Sequence, residues 1–130
     1  MNSELNIDPE LDAWIKKSMN EAVEQLTRKG FVDGVVVEAK PAWVLPMQIL
    51  IGKIRGQGNR LDSYWFICGD LPTDIIDASV ATSPREAARH FSLKWQVDAE
   101  RNQQAGDERI HRAEALYGLV EEPRLWLSES

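Results

Sequence analysis

The chain reads as an α+β protein: a small, mainly antiparallel three-stranded sheet covered by an N-terminal helix and two C-terminal helices. Three observations predict this. Apolar runs with strand character at residues 31–38, 47–54 and 61–68 succeed one another, and a polar, glycine-rich segment of hairpin length, residues 55–60, joins the last two. Three other stretches repeat apolar residues every three or four positions, so each lays an apolar stripe along a helix and needs a surface to cover. Finally, 130 residues, 43% of them hydrophobic, can bury a core without disulfide or metal staples. No repeat, low-complexity tract or linker divides the chain, so residues 1–130 are expected to form a single domain, with residues 1–7 as a flexible arm.

The first helix starts at Asp8-Pro9, where the aspartate can cap free N–H groups and the proline suits the first helical position. Leu11, Trp14, Ile15, Met19, Ala22, Val23 and Leu26 form its stripe, and Gly30 stops it after two cations near the negative end of the dipole. The valine-rich run from Phe31 follows, with Asp33-Gly34 as a turn or bulge. Pro41 and Pro46 bracket Trp43 and disfavour helix before them. In the third strand Tyr64, Phe66 and Cys68 share one face and Ser63, Trp65 and Ile67 the other; bulk on both faces predicts a central strand.

Ser83-Pro84-Arg85-Glu86 has the spacing of a capping box and opens a helix expected to reach about Gln103, with Ala87, Ala88, Phe91, Trp95 and Ala99 inward. Ala105-Gly106-Asp107 breaks it. The third helix, residues 108–120, points Ile110, Ala113, Leu116, Tyr117 and Val120 inward, and Leu125-Trp126-Leu127 docks the tail.

Charge narrows the partners. The net charge of −6 is spread over mixed signs with no lysine or arginine block, which speaks against a nucleic-acid surface, since phosphates require a basic patch. The lone Cys68 excludes an internal disulfide and fits a reducing, cytoplasmic setting. No leader-like start is visible, and no apolar run is long enough to span a bilayer, so no membrane association is expected. No coiled-coil seam marks an oligomer, and a homo-oligomer is compatible with the chain.

The chemistry concentrates where the aromatic strand breaks: Tyr64-Trp65-Phe66-Ile67-Cys68-Gly69-Asp70-Leu71-Pro72-Thr73-Asp74. Asp70, Asp74 and Asp77 are oxygen donors of the kind Mg²⁺ and Ca²⁺ prefer, but they lack the spacing of an EF-hand loop. Their simpler role is local: Asp70 stabilises the turn after Gly69 and Asp74 caps a helical turn starting at Ile75. Glu108 and His111 have Glu-x-x-His spacing, yet His90 has no glutamate three residues before it to supply a second copy. Cys68 continues a hydrophobic strand and is expected to be a buried hydrophobe; His90 or His111 would have to activate it. Gly52, Gly56 and Gly58 lead into a strand and lack a Gly-Lys-Ser/Thr ending, so they belong to a hairpin and not to a phosphate loop. Arg85 and Arg89, with Arg101, Arg109 and Arg112, could clamp an anion or simply pair with neighbouring glutamates. The candidate binding set is therefore Trp65, Asp70, Asp74, Arg85 and Arg89, with no catalytic residue, metal ligand or cofactor assigned.

The aromatic strand ending in Gly69-Asp70-Leu71-Pro72, followed by the Ser83-Pro84-Arg85-Glu86-Ala87 helix start, resembles a group of small uncharacterised bacterial proteins, a domain of unknown function, over roughly residues 43–104. The resemblance implies a bacterial, cytoplasmic setting and no activity that could be carried over.

Two function classes follow. The first is a non-catalytic protein-binding module, an adaptor or an immunity-type inhibitor, whose acidic balance would speed capture of a basic partner. The second is a small enzyme or divalent-metal-dependent protein using Asp70 and Asp74. A concave pocket beside residues 69–74 and stabilisation by a divalent ion would favour the second; a flat or convex surface there would favour the first.

Overall fold

The structure is a computed structural model that describes residues 8–29, 36–56, 63–101 and 106–126. In chain order it contains helix α1 (Pro9–Arg28), strands β1 (Val36–Leu45), β2 (Ile49–Gly56), β3 (Ser63–Gly69) and β4 (Asp74–Asp77), then helices α2 (Pro84–Arg101) and α3 (Gly106–Val120). Short 3-10 turns follow β4 at Ala78–Val80 and α3 at Pro123–Trp126. The α+β architecture with one N-terminal and two C-terminal helices matches the sequence expectation. The sheet does not: it has four strands rather than three, all antiparallel, in the order β1-β2-β3-β4.

The extra strand is the four-residue Asp-Ile-Ile-Asp segment, too short and too polar at its ends to show a period of two. It forms because the loop after Gly69 returns the chain beside β3, pairing Phe66 with Ile75 and Tyr64 with Asp77. β3 thereby becomes central, as its two bulky faces predicted.

The first strand also runs further than expected, over 36–45 and so past the expected end at residue 38; residues 31–35, with the Asp33-Gly34 turn, are outside the described residues. It runs straight through Pro41. An edge strand tolerates a residue without an N–H, and the register slips between Pro41 and Trp43 beside it. Residues 46–48 make a tight hairpin into β2, with Gln48 N–H donating to the Leu45 carbonyl at 2.9 Å and Met47 at φ 61°.

The sheet separates two cores. On one face Ala22 and Leu26 of α1, flanked by Trp14, Ile15, Met19 and Val23, cover Leu50, Ile54, Phe66, Cys68 and Ile75. On the other, α2 and α3 cover Trp43, Ile49, Ile51, Trp65 and Ile67. The alternation along β2 and β3 thus feeds both layers. Alanines at 87, 88, 99 and 113 let α2 and α3 approach closely, and the buried Ser92 hydroxyl donates to the Ala113 carbonyl at 2.8 Å.

The helix ends largely follow the sequence signals. The Asp8 carboxylate accepts from Glu10 N–H at 2.9 Å, and Pro9 opens α1. At α2 the Ser83 hydroxyl accepts from Glu86 N–H at 3.2 Å, but the Glu86 carboxylate turns one residue further back, to the N–H and hydroxyl of Thr82, each at 2.7 Å. Tyr117 corrects the stripe assigned to α3: it is exposed, and Leu119 faces the core instead. The tail docks through Trp126, stacked on Trp43 at 4.0 Å; Leu127 is outside the described residues. Trp43 donates to the Leu125 carbonyl and Trp126 to that of Leu119. Each buried indole N–H has an acceptor, as burial of that group requires.

Candidate functional site

The bend after β3 is enforced by Gly69. Its φ of 109° lies where L side chains are strained, and a Cβ there would stand 2.3 Å from the Gln48 carbonyl oxygen. Asp70 N–H then donates to that same oxygen at 2.7 Å, tying the loop to the β1–β2 hairpin. From the other side Arg112 of α3 donates to the Asp70 carbonyl at 2.8 Å. Residues 69–73 are thus held from both sides before the chain enters β4.

Beside this loop lies a cleft of about 870 Å³, bounded by Gln25 and Lys29 at the end of α1, by residues 69–74, by Lys94, Trp95 and Asp98 of α2, and by Glu108, Arg109 and Arg112 of α3. It opens where the two helical layers meet the end of the sheet. A smaller hollow of about 200 Å³, lined by Trp14, Lys17, Glu21 and Cys68, shares Gln25, Gly69, Asp70 and Thr73 with it, so the depression continues around the loop onto the α1 side.

Four cations and four carboxylates line the cleft, and most are already matched. Lys94 meets Asp74 at 2.8 Å, Arg109 meets Asp98 at 3.8 Å, and Arg112 meets Glu108 at 3.4 Å. Asp74 is the best anchored. One carboxylate oxygen accepts from Lys94 and from Ile75 N–H at 2.8 Å, and the other accepts from the Trp95 indole at 2.9 Å. Lys94 also reaches the Ile75 carbonyl at 3.4 Å. The Asp70 carboxylate, by contrast, is exposed and makes no hydrogen bond or ion pair among the described residues.

The other predicted site residues sit elsewhere. Trp65 is in the core, its indole donating to the Ala81 carbonyl at 3.0 Å with Lys53 stacked 4.6 Å over the ring. Arg85 donates to the Val120 carbonyl at 2.9 Å, joining α2 to the end of α3. Arg89 is exposed and lies 3.8 Å from Glu121. The structure therefore brings Asp70 and Asp74 together at the cleft and leaves Trp65, Arg85 and Arg89 outside its lining. The sequence reading named Arg109 and Arg112 only as members of a possible anion clamp, not as neighbours of the aspartates, and it missed Lys94 and Asp98 altogether. They are ordinary exposed-face helix residues in sequence, and only the packing of α2 on α3 turns them toward the loop.

The local roles of the aspartates also change. Asp74 opens a strand and caps no helical turn; the carboxylate that caps is Asp77, which accepts from Ser79 N–H at 2.8 Å and from its hydroxyl at 2.7 Å. Those bonds hold its carboxyl below the ordinary range. A cation at Asp74 would have to displace a lysine ammonium, and no group of three potential metal ligands occurs among the described residues. Cys68 is buried on the α1 face, and burial, reinforced by Glu21, pushes its thiol up to about 12, so it stays protonated at neutral pH. His90 and His111 lie on the helices covering the opposite face.

Among the described residues no helix is long and apolar enough to cross a membrane. A family model described as a domain of unknown function (DUF4826) matches residues 10–126, which includes the 43–104 stretch that carried the sequence resemblance. No curated protein and no solved structure matches the chain.

Proposed function

The chain belongs to the DUF4826 family, and from that premise we propose a non-catalytic binding domain that holds a charged segment of another protein in the cleft around residues 69–74. One observation carries this reading. The lining of the cleft, drawn from every layer of the fold, carries charges of both signs, most of them already paired. A polypeptide segment, which alternates donors, acceptors and charges, suits such a lining better than an apolar ligand does. The chemistry supports binding over catalysis, because the lining has no histidine or cysteine and no side chain there pairs a nucleophile with a base. The cleft's balanced charges do not favour a basic partner; the overall charge of −6 would act at longer range, on the rate of encounter.

A photo-crosslinking residue placed at Thr73 inside the cleft, with a matched control at the exposed Glu114 on α3, tests the proposal in cells of the source organism. A discrete protein adduct formed at Thr73, absent at Glu114, and lost on reversing Asp70 to lysine is the expected result. No adduct at Thr73, or the same adducts from both positions, would defeat the reading.

The concavity itself favours the second class, a small enzyme or metal-dependent protein acting on a polar ligand at Asp70 and Asp74. A rise in melting temperature with Mg²⁺ or Ca²⁺ that Asp70→Asn abolishes would support that reading instead.

A further inference from the structure

Away from the cleft, β4 and the outer side of α2 carry an apolar patch. Val80, Leu93 and Val97 are 44%, 56% and 37% exposed, and with the half-buried Ile76 they surround a hollow of about 490 Å³. Three of the five large hydrophobic residues exposed among the described residues are gathered here, where scattered single ones would be unremarkable.

The adjoining edge of the sheet is blocked to strand pairing at Ile75. The N–H of Ile75 donates to the Asp74 carboxylate and its carbonyl accepts from Lys94, so both of its backbone groups are occupied by side chains. The sequence of β4 reads the same in both directions, Asp-Ile-Ile-Asp, and an antiparallel copy would set Asp74 against Asp77. Docking by side chains is therefore favoured over strand addition at this face.

The charges around the hollow indicate which occupant. Asp77, His90, Lys94, Asp98 and Arg101 border it. Lys94 and Asp98 are matched internally, by Asp74 and Arg109. Because Lys94 meets Asp74 and the chain turns back through Ala78–Val80 into α2, Asp77 lies toward the N-terminal half of α2, beside His90. Arg101 ends the helix, about 16 Å beyond His90 at 1.5 Å per residue. The patch is thus apolar in the middle, with an exposed acid at one end and an exposed base at the other. A twofold axis across its centre, near residue 95 of α2, places Asp77 of each copy against Arg101 of the other and Leu93 of each copy against Val97 of the other. Such self-complementarity is what an isologous interface requires.

We infer that the protein forms a twofold homodimer through α2 and the Val80–Leu93–Val97 patch, with two Asp77–Arg101 ion pairs between copies.

Sedimentation velocity of the full chain over a concentration series reaching about 1 mM, the weak end of specific association, tests this. Wild type is expected to shift from monomer to dimer. Leu93→Lys, at an exposed position that leaves the core intact, should weaken the dimer at least about tenfold, as loss of a central apolar contact does. Arg101→Glu should weaken it, and adding Asp77→Lys to that variant should restore it, a rescue that only this pairing produces. A wild-type chain that stays monomeric throughout, such as one whose patch serves a different protein, overturns the inference. So does a dimer indifferent to Leu93→Lys and to the charge exchange.

Discussion

At the scale of single residues, Asp70 and Asp74 look equivalent in sequence and are opposite in structure. Asp74 is 13% exposed at its side chain and serves three donors, whereas Asp70 is exposed and its side chain serves none among the described residues. Asp74→Asn should cost about 1–3 kcal/mol, because one donor is left unmet and Lys94 loses its charge partner. Asp70→Asn should cost about 0.5 kcal/mol or less, as expected for an exposed residue without such a role. Urea denaturation of the two variants checks the contrast. The carboxylates of Glu86 and Asp77 add a pH dependence. Hydrogen bonds from Thr82 and Ser79 hold both below their ordinary values of 4.5 and 3.8, so the folded chain is harder to protonate than the unfolded one. Their stabilisation is complete above the ordinary carboxylate range and is lost as pH falls through the lowered folded values. The melting temperature should therefore decline below about pH 5. Glu86→Gln, which keeps an acceptor for Thr82 without the charge, should make that decline shallower in a pH series of thermal melts.

At the scale of elements, the legible features were those that depend on neighbours in the chain. Asp8-Pro9 and Ser83-Pro84 start helices because capping is a contact over two or three residues. The extent of β1 and the existence of β4 escaped because both depend on what lies beside them. Pro41 is tolerated only because β1 is an edge, and Asp74–Asp77 is a strand only because β3 presents it a partner. Gly52 is a further case, a glycine whose role in sequence was merely to belong to a cluster. A Cβ there would stand 2.3 Å from the Lys40 carbonyl oxygen and 2.8 Å from the Phe66 ring, where β1 crosses the bulge. Gly52→Ala should destabilise by about 1–3 kcal/mol through overpacking. Measured by chemical denaturation, an alanine tolerated without loss would show that β1 is free to move aside.

At the scale of the whole molecule, one sheet serves two cores, and β2 and β3 contribute to both. Neither helical layer can leave without exposing apolar residues of the shared strands, so we expect residues 10–126 to unfold as one unit. Four buried tryptophans report the α2–α3 side, while far-UV circular dichroism also reports α1. Tryptophan fluorescence and circular dichroism should therefore give coincident denaturation curves. An early loss of helix signal accompanied only by the small fluorescence change of Trp14 would show α1 detaching alone.

By itself the sequence determined the α+β class, the three helices, the central strand with its two apolar faces, and the position of the bend at Gly69. All of these follow from periodicity, caps and conformational preference, which act within a few residues. Only the tertiary structure decided that α1 covers the Phe66 face and α2 with α3 the Trp65 face. It alone made Asp74 the first residue of a fourth strand and assembled a cleft from Lys29, Asp70, Lys94, Asp98 and Arg109. Those residues come from segments far apart in the chain. Their meeting is set by which apolar stripe best covers which face of the sheet, a choice that depends on long-range packing and leaves no local pattern to read.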